Sequence, residues 1–297
     1  MKIIKREDKE FPSKLLDVKP IVKQIYVEGD ETILNNFGIA VIGSRNSSRE
    51  GERITNEFVS KLSEYRINII SGLAIGIDSR AHRSCIENGG KTIAIIGSGF
   101  NYIYPTENKN LFKTIIERGG AVISEYQPNT DVKPENFPKR NRIVSGLSDG
   151  ILMIEGKYRS GTTITAKFGL NQGKIVFCIP HSMYNPYGTG PNKIIQKGGK
   201  LVTTIEDIVE IFNQKGIQIE NIKNKKPEFL KSNSKKIIKT QDECTDILKE
   251  LSEEILTKEE LAEKMKIPIS EINQKLTILE LEGIITEEPG KGFRITE

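Results

Sequence analysis

The sequence predicts an α/β fold: an open, doubly wound, mostly parallel sheet followed by a small C-terminal winged-helix domain. Segments such as Ile39-Ala-Val-Ile42 and Thr92-Ile-Ala-Ile-Ile96 are continuously apolar rather than alternating, the pattern of parallel strands covered by helices on both faces. The order strand, Gly-rich turn, helix recurs at least five times after Gly38. Past residue 242 the period changes to short helices and a hairpin.

The elements follow in order. Residues 1–35 form an N-terminal extension too short to bury a core alone, with a short strand at Lys23-Gln-Ile-Tyr-Val27 and a turn at Glu28-Gly-Asp30. Residues 36–216 form the main domain. Ile39–Ile42 is a strand ending in Gly43-Ser44-Arg45, and a helix follows from about Arg49 to Glu64. Ile67–Ile70 is the next strand, then Ser71-Gly72 and a helix near Asp78–Asn88. Thr92–Ile96 leads into Gly97-Ser-Gly99, and Leu111–Arg118 is helical. Gly120–Ser124 is a strand, Lys139–Leu147 a helix entered through Pro138, and Gly150–Ile154 a strand. Thr162–Gln172 is helical, Lys174–Ile179 a strand, Ile194–Lys197 a helical turn, Leu201–Thr203 the end of the sheet and Ile205–Phe212 the last helix.

Residues 217–242 read as a linker rich in Lys, Asn and Ser. In residues 243–297 a short helix spans Thr245–Leu251, and Thr257-Lys-Glu-Glu260 is a capping-box pattern opening a helix through Met265. Ser270–Leu281 is a second helix, stopped by Glu282-Gly283, and Ile284-Ile-Thr with Gly292–Thr296 reads as a hairpin. Three short helices and a β hairpin describe a winged helix.

Charge is distributed unevenly along the 297 residues, although the net is only +4. Residues 36–220 carry 23 basic and 17 acidic residues, residues 221–240 seven Lys against one Glu, and residues 241–297 seven basic and 15 acidic residues. An anionic partner therefore belongs on the main domain. No stretch approaches the roughly 18 apolar residues of a membrane-spanning helix, and the N-terminus has no apolar secretory core. Three well-separated cysteines make neither a disulfide framework nor a zinc site. These features point to a cytoplasmic protein without a metal or cofactor.

Between Glu155 and Glu206 there is no acidic residue, while Lys157, Arg159, Lys167, Lys174, Lys193, Lys197 and Lys200 all fall there. Just upstream, Phe137-Pro-Lys-Arg-Asn-Arg142 concentrates Lys139, Arg140 and Arg142, with Asn141 adding an amide for base edges or sugar. Arg grips phosphate bidentately and Lys acts as a mobile point charge. Pairing of one arginine with Glu125 or Glu155 is the alternative. Arg45, beside Gly43 and Ser44 at a strand end, suits phosphate contact. Ser160, Gly161 and Thr162 suit one phosphate at a helix N-terminus, or a plain N-cap loop.

Ser71-Gly-Leu-Ala-Ile-Gly-Ile-Asp78 runs from a strand into a helix, with Gly72 and Gly76 allowing close backbone approach and Asp78 placed to cap the helix. His82 lies four positions on, so an acid–base pair with Asp78 is the alternative reading. The G-x-G-x-x-G and G-x-x-x-x-G-K-[ST] phosphate loops are both absent, which disfavours hydride transfer and P-loop chemistry. The tail's recognition helix carries Lys275 but also Glu271 and Glu280, which favours protein contact over duplex reading.

Taken together, Gly43-Ser-Arg45, Ser71–Asp78 with Ala81-His82, Thr92–Gly99, Tyr104-Pro105, Ser124-Glu-Tyr126, Phe137–Arg142 and Ser160-Gly-Thr162 resemble the DNA-processing protein A (DprA/Smf) family from Ile39 to about Val202. The winged tail resembles the C-terminal domain that many members carry. The resemblance implies an extended Rossmann-like core that binds single-stranded DNA without cutting it. It implies action in natural transformation, loading of a RecA-type recombinase and a homodimer through the core. The family's phosphate pocket falls on Gly43, Ser44, Arg45, Lys139, Arg140, Asn141 and Arg142, with Ser160, Gly161 and Thr162 adjoining. Ser71, Gly72, Gly76, Asp78 and His82 form the supporting loop. Ile75 stands where members usually have Arg, and Glu50-Gly51 where Tyr-Gly is usual. The alternative function is a nucleotide-binding sensor or nucleotide-processing enzyme on the same kind of sheet. That enzyme would draw its catalytic carboxylate from Asp78, Glu125 or Glu155.

Overall fold

The computed structural model describes residues 1–219, 247–248, 250–251, 254–281, 285–288 and 292–295. The chain divides into two compact units, Met1–Asn224 and Lys225–Glu297.

The first unit is a nine-stranded sheet with helices on both faces. Its strands are β1 (Lys2–Lys5), β2 (Gln24–Gly29), β3 (Gly38–Ile42), β4 (Asn68–Ser71), β5 (Thr92–Ile96), β6 (Ala121–Ser124), β7 (Gly150–Met153), β8 (Ile175–Cys178) and β9 (Lys200–Leu201). Their order across the sheet is β1-β2-β6-β5-β4-β3-β7-β8-β9. All pairings from β6 to β9 are parallel, while β2 joins β6 and β1 joins β2 antiparallel. Residues 1–35 thus extend the sheet. The segment expected to turn at Glu28-Gly-Asp30 stays in β2 to Gly29, where φ is +97°.

The helices are α1 (Arg49–Glu64), α2 (Ile77–Glu87), α3 (Lys109–Glu117), α4 (Asn136–Leu147), α5 (Gly161–Asn171), α6 (Thr189–Ile195) and α7 (Ile205–Gln214). One face of the sheet is covered by α4, α5, α6 and the N-terminal segment, which bury Ile4, Leu15, Ile143, Leu147, Ala166 and Ile194. The other face is covered by α1, α2 and α7 near its middle and by α3 beyond them. Strand β3 explains its own composition: Ala40 and Ile42 point into the first layer, Ile39 and Val41 into the second. With both faces buried, no position is left for a polar alternate.

Several helix starts differ from the sequence expectation: α6 begins at Thr189 rather than Ile194, and α3 at Lys109 rather than Leu111. Helix α4 begins at Asn136, so Pro138 lies inside its first turn rather than ahead of it. Proline is tolerated there because its missing N–H would have had no intrahelical partner. The N-cap of α2 is Gly76, with φ +79° and ψ −133°, not Asp78.

In the second unit residues 247, 248, 250 and 251 are helical, followed by α8 (Lys258–Met265), α9 (Ile269–Leu281), β10 (Ile285–Glu288) and β11 (Gly292–Ile295). The capping box is formed: Thr257 Oγ1 accepts the Glu260 N–H (3.3 Å) and Glu260 Oε2 accepts the Thr257 N–H (2.8 Å). The hairpin pairs β10 with β11, and Leu256 bridges Phe293. Ile247, Leu251, Leu261, Ile272, Leu276, Ile285 and Phe293 supply the core. On α9, Lys275 is nearly buried and pairs with Glu271 at 2.9 Å. Most of the expected linker, from residue 220 onward, lies outside the described residues, as do Thr245, Asp246, the Glu282-Gly283 stop, and Ile284 and Thr296 of the expected hairpin. Among the described residues no helix is long and apolar enough to cross a membrane.

Candidate functional site

A cavity of about 450 Å3 opens at the C-terminal ends of β3, β4 and β7. From β3 the chain winds outward through β4, β5 and β6; it then returns to β7 and winds the other way through β8 and β9. The cavity therefore sits where the winding direction changes, the place where loops diverge and leave a crevice. Its walls are the β3–α1 loop, the β4–α2 loop, one side of α4 and the β7–α5 loop.

These loops are held against each other. Thr162 Oγ1 donates to the Gly43 carbonyl at 2.8 Å, joining the β7–α5 and β3–α1 loops. A Cβ on Gly76 would stand on the carbonyl oxygens of Ser44 and Arg45, and one on Gly43 would run into Ile77. The Ile77 N–H donates to Ser44 O at 3.1 Å. Buried Leu73 adopts φ +56° to complete the β4–α2 turn, a left-handed conformation that disfavours a side chain. Ser44 Oγ donates to Asn46 O (2.9 Å) and accepts the Asn46 N–H (3.1 Å), which shapes the rim.

The cations differ sharply in how they are held. Arg45 is exposed at the rim, its guanidinium 5.6 Å from the Phe137 ring centroid, and Phe137 is in turn 5.6 Å from the ring of Tyr104. Lys157 and Arg159 are exposed and line the cavity. Ser160 is the N-cap of α5, and no side chain caps that helix, so its first-turn N–H groups are left at the cavity wall. Asn141 joins Arg140 to the same loop, accepting from Arg140 Nε (3.2 Å) and donating to Gly161 O (3.3 Å).

Arg140 is 4% exposed. Its Nη1 donates to the carbonyls of Gly72 and Ile95, tying the ends of β4 and β5 to α4. Burial lowers its pKa to about 10, with Asp78 opposing the shift, so it remains a cation at neutral pH. Arg142 is equally buried, and its Nη2 meets both oxygens of Glu125 at 2.7 and 2.8 Å. It takes the alternative role, arginine to Glu125, and direct phosphate contact would require opening that pair. Lys139 is exposed at the start of α4, and neither it nor Arg142 lines the cavity.

The carboxylates and histidines are also spoken for. Asp78 Oδ2 accepts the Gly72 N–H at 3.1 Å, clasping the loop that precedes its helix; burial raises its pKa while Arg140 pulls the other way. Glu155 is fully buried and accepts both the N–H (2.9 Å) and the hydroxyl (2.6 Å) of Ser48, the N-cap of α1. His82 has no exposed surface, contacts Thr92 Oγ1 at 2.6 Å and is lowered by burial to a pKa of about 3. It lies outside the cavity lining, so the ring does not face Asp78 across a reacting centre. His181 Nε2 meets Ile154 O at 2.8 Å and its backbone pairs with the Asn192 amide. No group of three or more His, Cys, Asp or Glu among the described residues is placed to hold a metal ion.

Of the residues singled out in the sequence, the cavity brings together Gly43, Ser44, Arg45, Gly72, Asp78, Arg140, Asn141, Ser160, Gly161 and Thr162. Ser71 lies behind it, donating to Val41 O at 2.7 Å. Asn46, Lys157, Arg159 and Tyr187 also line it. Lys157 and Arg159 were visible as the first cations of the acid-free run. Tyr187 arrives from the β8–α6 connection and has no local signal.

Comparison with known proteins agrees with this architecture. The family model described as DNA recombination-mediator protein A matches residues 2–213, and the one described as DprA winged helix domain matches residues 235–291. Protein Smf of Escherichia coli (strain K12) is 36% identical over 299 residues, covering 99% of this chain and 77% of that protein. The X-ray structure of DNA processing protein A from Streptococcus pneumoniae superimposes with a TM-score of 0.67 at 36% identity, covering 70% of this chain and 73% of that one. A structure of DNA processing protein A from Helicobacter pylori, reported for its single-stranded DNA binding mode, shares the fold with a TM-score of 0.64 at 24% identity, covering 72% of this chain and 97% of that one. The chain belongs to the DNA recombination-mediator protein A family, with a DprA winged-helix domain after its core.

Proposed function

We propose that this chain is a non-catalytic single-stranded-DNA-binding protein of DNA processing, recombination and natural transformation, and that the switch-point cavity holds the phosphates. The observation that carries the reading is the cavity's charge. Arg45, Lys157 and Arg159 are open to solvent, the α5 N-terminus is uncapped, and the one carboxylate in the lining, Asp78, is occupied with the Gly72 amide. Backbone amides and Arg side chains at a helix start suit phosphate oxygens. Exposed Tyr104 beside Phe137 and Arg45 offers a face for an unpaired base, which a duplex does not present. The DNA-processing names of the relatives, and the single-stranded DNA binding reported for the H. pylori protein, support the same polymer.

In this proposal Gly43, Ser44, Arg45, Asn141 and Ser160–Thr162 contact phosphate together with Lys157 and Arg159, and Lys139 reaches in from the start of α4. Arg140 and Arg142 act from behind by holding the walls. Loading of a RecA-type recombinase, a homodimer through the core and a cytoplasmic setting belong to the proposal and follow the family's recombination-mediator role. The competing nucleotide-processing reading needs a free catalytic carboxylate. Its three candidates are committed to Gly72, Arg142 and Ser48.

Fluorescence anisotropy with labelled single strand, duplex and mononucleotide, titrated across salt, tests this. Arg45→Ala is expected to weaken single-strand binding about tenfold and to lower the slope of log K against log salt by about 0.7, one phosphate contact. Arg45→Ala and Arg159→Ala proteins that are folded yet bind like wild type would remove the cavity from the reading. Turnover of a mononucleotide would favour the enzyme.

A further inference from the structure

The outer side of the β7–α5 loop carries a second basic feature that the cavity does not use. Tyr158 stands in sequence between Lys157 and Arg159, the two cations that line the cavity. Its N–H donates to Thr189 Oγ1 at 3.2 Å, anchoring the loop to the first residue of α6. Lys197 and Lys167 lie 5.5 and 5.6 Å from its ring centroid, and Lys197 Nζ donates to the phenol oxygen at 3.2 Å. The phenol's pKa is lowered, first by the Lys197 hydrogen bond and charge, then by Lys167 and Lys193.

Among the described residues no carboxylate pairs with Lys167, Lys193 or Lys197, and all three are exposed. Among the described residues, Lys193 bonds to the neutral Gln196 Oε1, at 2.8 Å. The acid-free run from Glu155 to Glu206 explains why no counter-ion is near in sequence. Like charges gathered on one phenol repel each other, and the ring face offsets only part of that through cation–π attraction. An external anion would offset that repulsion. The position, one residue from Lys157 and Arg159 of the cavity lining, would let one polyanion reach both places.

We propose that the Tyr158 cluster of Lys167, Lys193 and Lys197 is a second phosphate site, which takes the backbone of a single strand as it leaves the switch-point cavity. The inference rests on the single-strand reading above and adds a direction to it: the strand passes over Arg159 and Tyr158 toward the end of α6. Tyr158 acts as the post that spaces two ammonium groups.

The test uses the full chain and thymidine oligonucleotides from about 4 to about 16 nucleotides, the span of common single-strand site sizes. Wild type is compared with the double variant Lys167→Ala, Lys197→Ala and with Arg45→Ala, thermal unfolding serving as the check that each is folded. The double variant is expected to bind the shortest oligonucleotide like wild type. It should lose the affinity gained with length, and its salt slope on long oligonucleotides should drop by about 1.4, two phosphate contacts. Wild-type affinity and slope at every length would overturn the second site, while a defect in Arg45→Ala would leave the cavity reading standing. An equal loss at all lengths would also overturn it, because the lysines would then belong to the first site. Wild-type binding by Arg45→Ala together with wild-type binding by Arg159→Ala would sink the cavity reading and this inference with it.

Discussion

Replacing His82 by Phe should flatten the acid side of the protein's stability profile. The ring has no exposed surface, and Thr92 Oγ1, which donates to Ile69 O at 2.7 Å, accepts from Nδ1 at 2.6 Å. Nε2 therefore carries the lone pair, buried and without a partner. Burial, reinforced by the charges of Arg140 and Arg83, lowers the pKa from 6.5 to about 3. Above pH 6.5 the ring is neutral in both the folded and the unfolded chain and contributes no pH dependence. Below it the unfolded chain takes up a proton that the folded chain refuses, so stability falls as pH falls until the folded ring also titrates near 3. At about 1.4 kcal/mol per pH unit, the loss from pH 6.5 to pH 5 is about 2 kcal/mol. Urea denaturation followed by circular dichroism, at about pH 7 and about pH 5, reads it directly. His82→Phe should lose about 2 kcal/mol less than wild type over that interval, whatever the offset between them at neutral pH. Parallel losses in the two proteins would refute a sealed, neutral ring.

Three further outcomes follow from the geometry. Gly76→Ala places a Cβ on the Ser44 and Arg45 carbonyls in a backbone conformation side chains avoid; it should cost about 2 kcal/mol or more and lower Tm by about 4–8 °C in a thermal melt. Glu155→Gln removes the charge that accepts two bonds from the α1 N-cap and should lower stability by about 1–3 kcal/mol in urea denaturation. Single-strand affinity of the folded Gln variant, read by anisotropy, should stay at the wild-type level, whereas a catalytic base would leave a kinetic defect. Thr257→Ala breaks the capping box of α8 and should cost the second unit about 1 kcal/mol, visible as earlier loss of amide-exchange protection in that helix.

What could be read from the sequence, and what could not, follows from how far apart the causes lie. The continuous apolar run of β3 was legible because both of its faces are buried, which no edge strand or surface helix would show. The capping box at Thr257 was legible because all its partners lie within four residues. The pairing of β2 with β6 was not, since Tyr26 and Ser124 meet across nearly a hundred residues of chain. The site divides the same way. Arg45 could be placed at a strand end from Gly43-Ser44 alone. Arg140 and Arg142 look identical to Lys139 in composition; only the inward face of α4, shared with Ile143 and Leu147, assigns them to carbonyls and to Glu125. Pro138 misled because the same residue marks a helix boundary or sits in a first turn, and sequence does not separate the two.

The sheet's two outermost strands bear on how copies of this chain can associate. β1 presents Lys2 and Lys5 at its exposed ends, and β9 is only two residues long and begins with exposed Lys200. Short, lysine-bearing margins resist the addition of a foreign strand, because bringing two such margins together sets ammonium against ammonium along an already brief ladder. Growth of the sheet from molecule to molecule is thereby discouraged at both ends. The homodimer proposed above would then have to form through helix and loop surfaces, which allow closure after two copies.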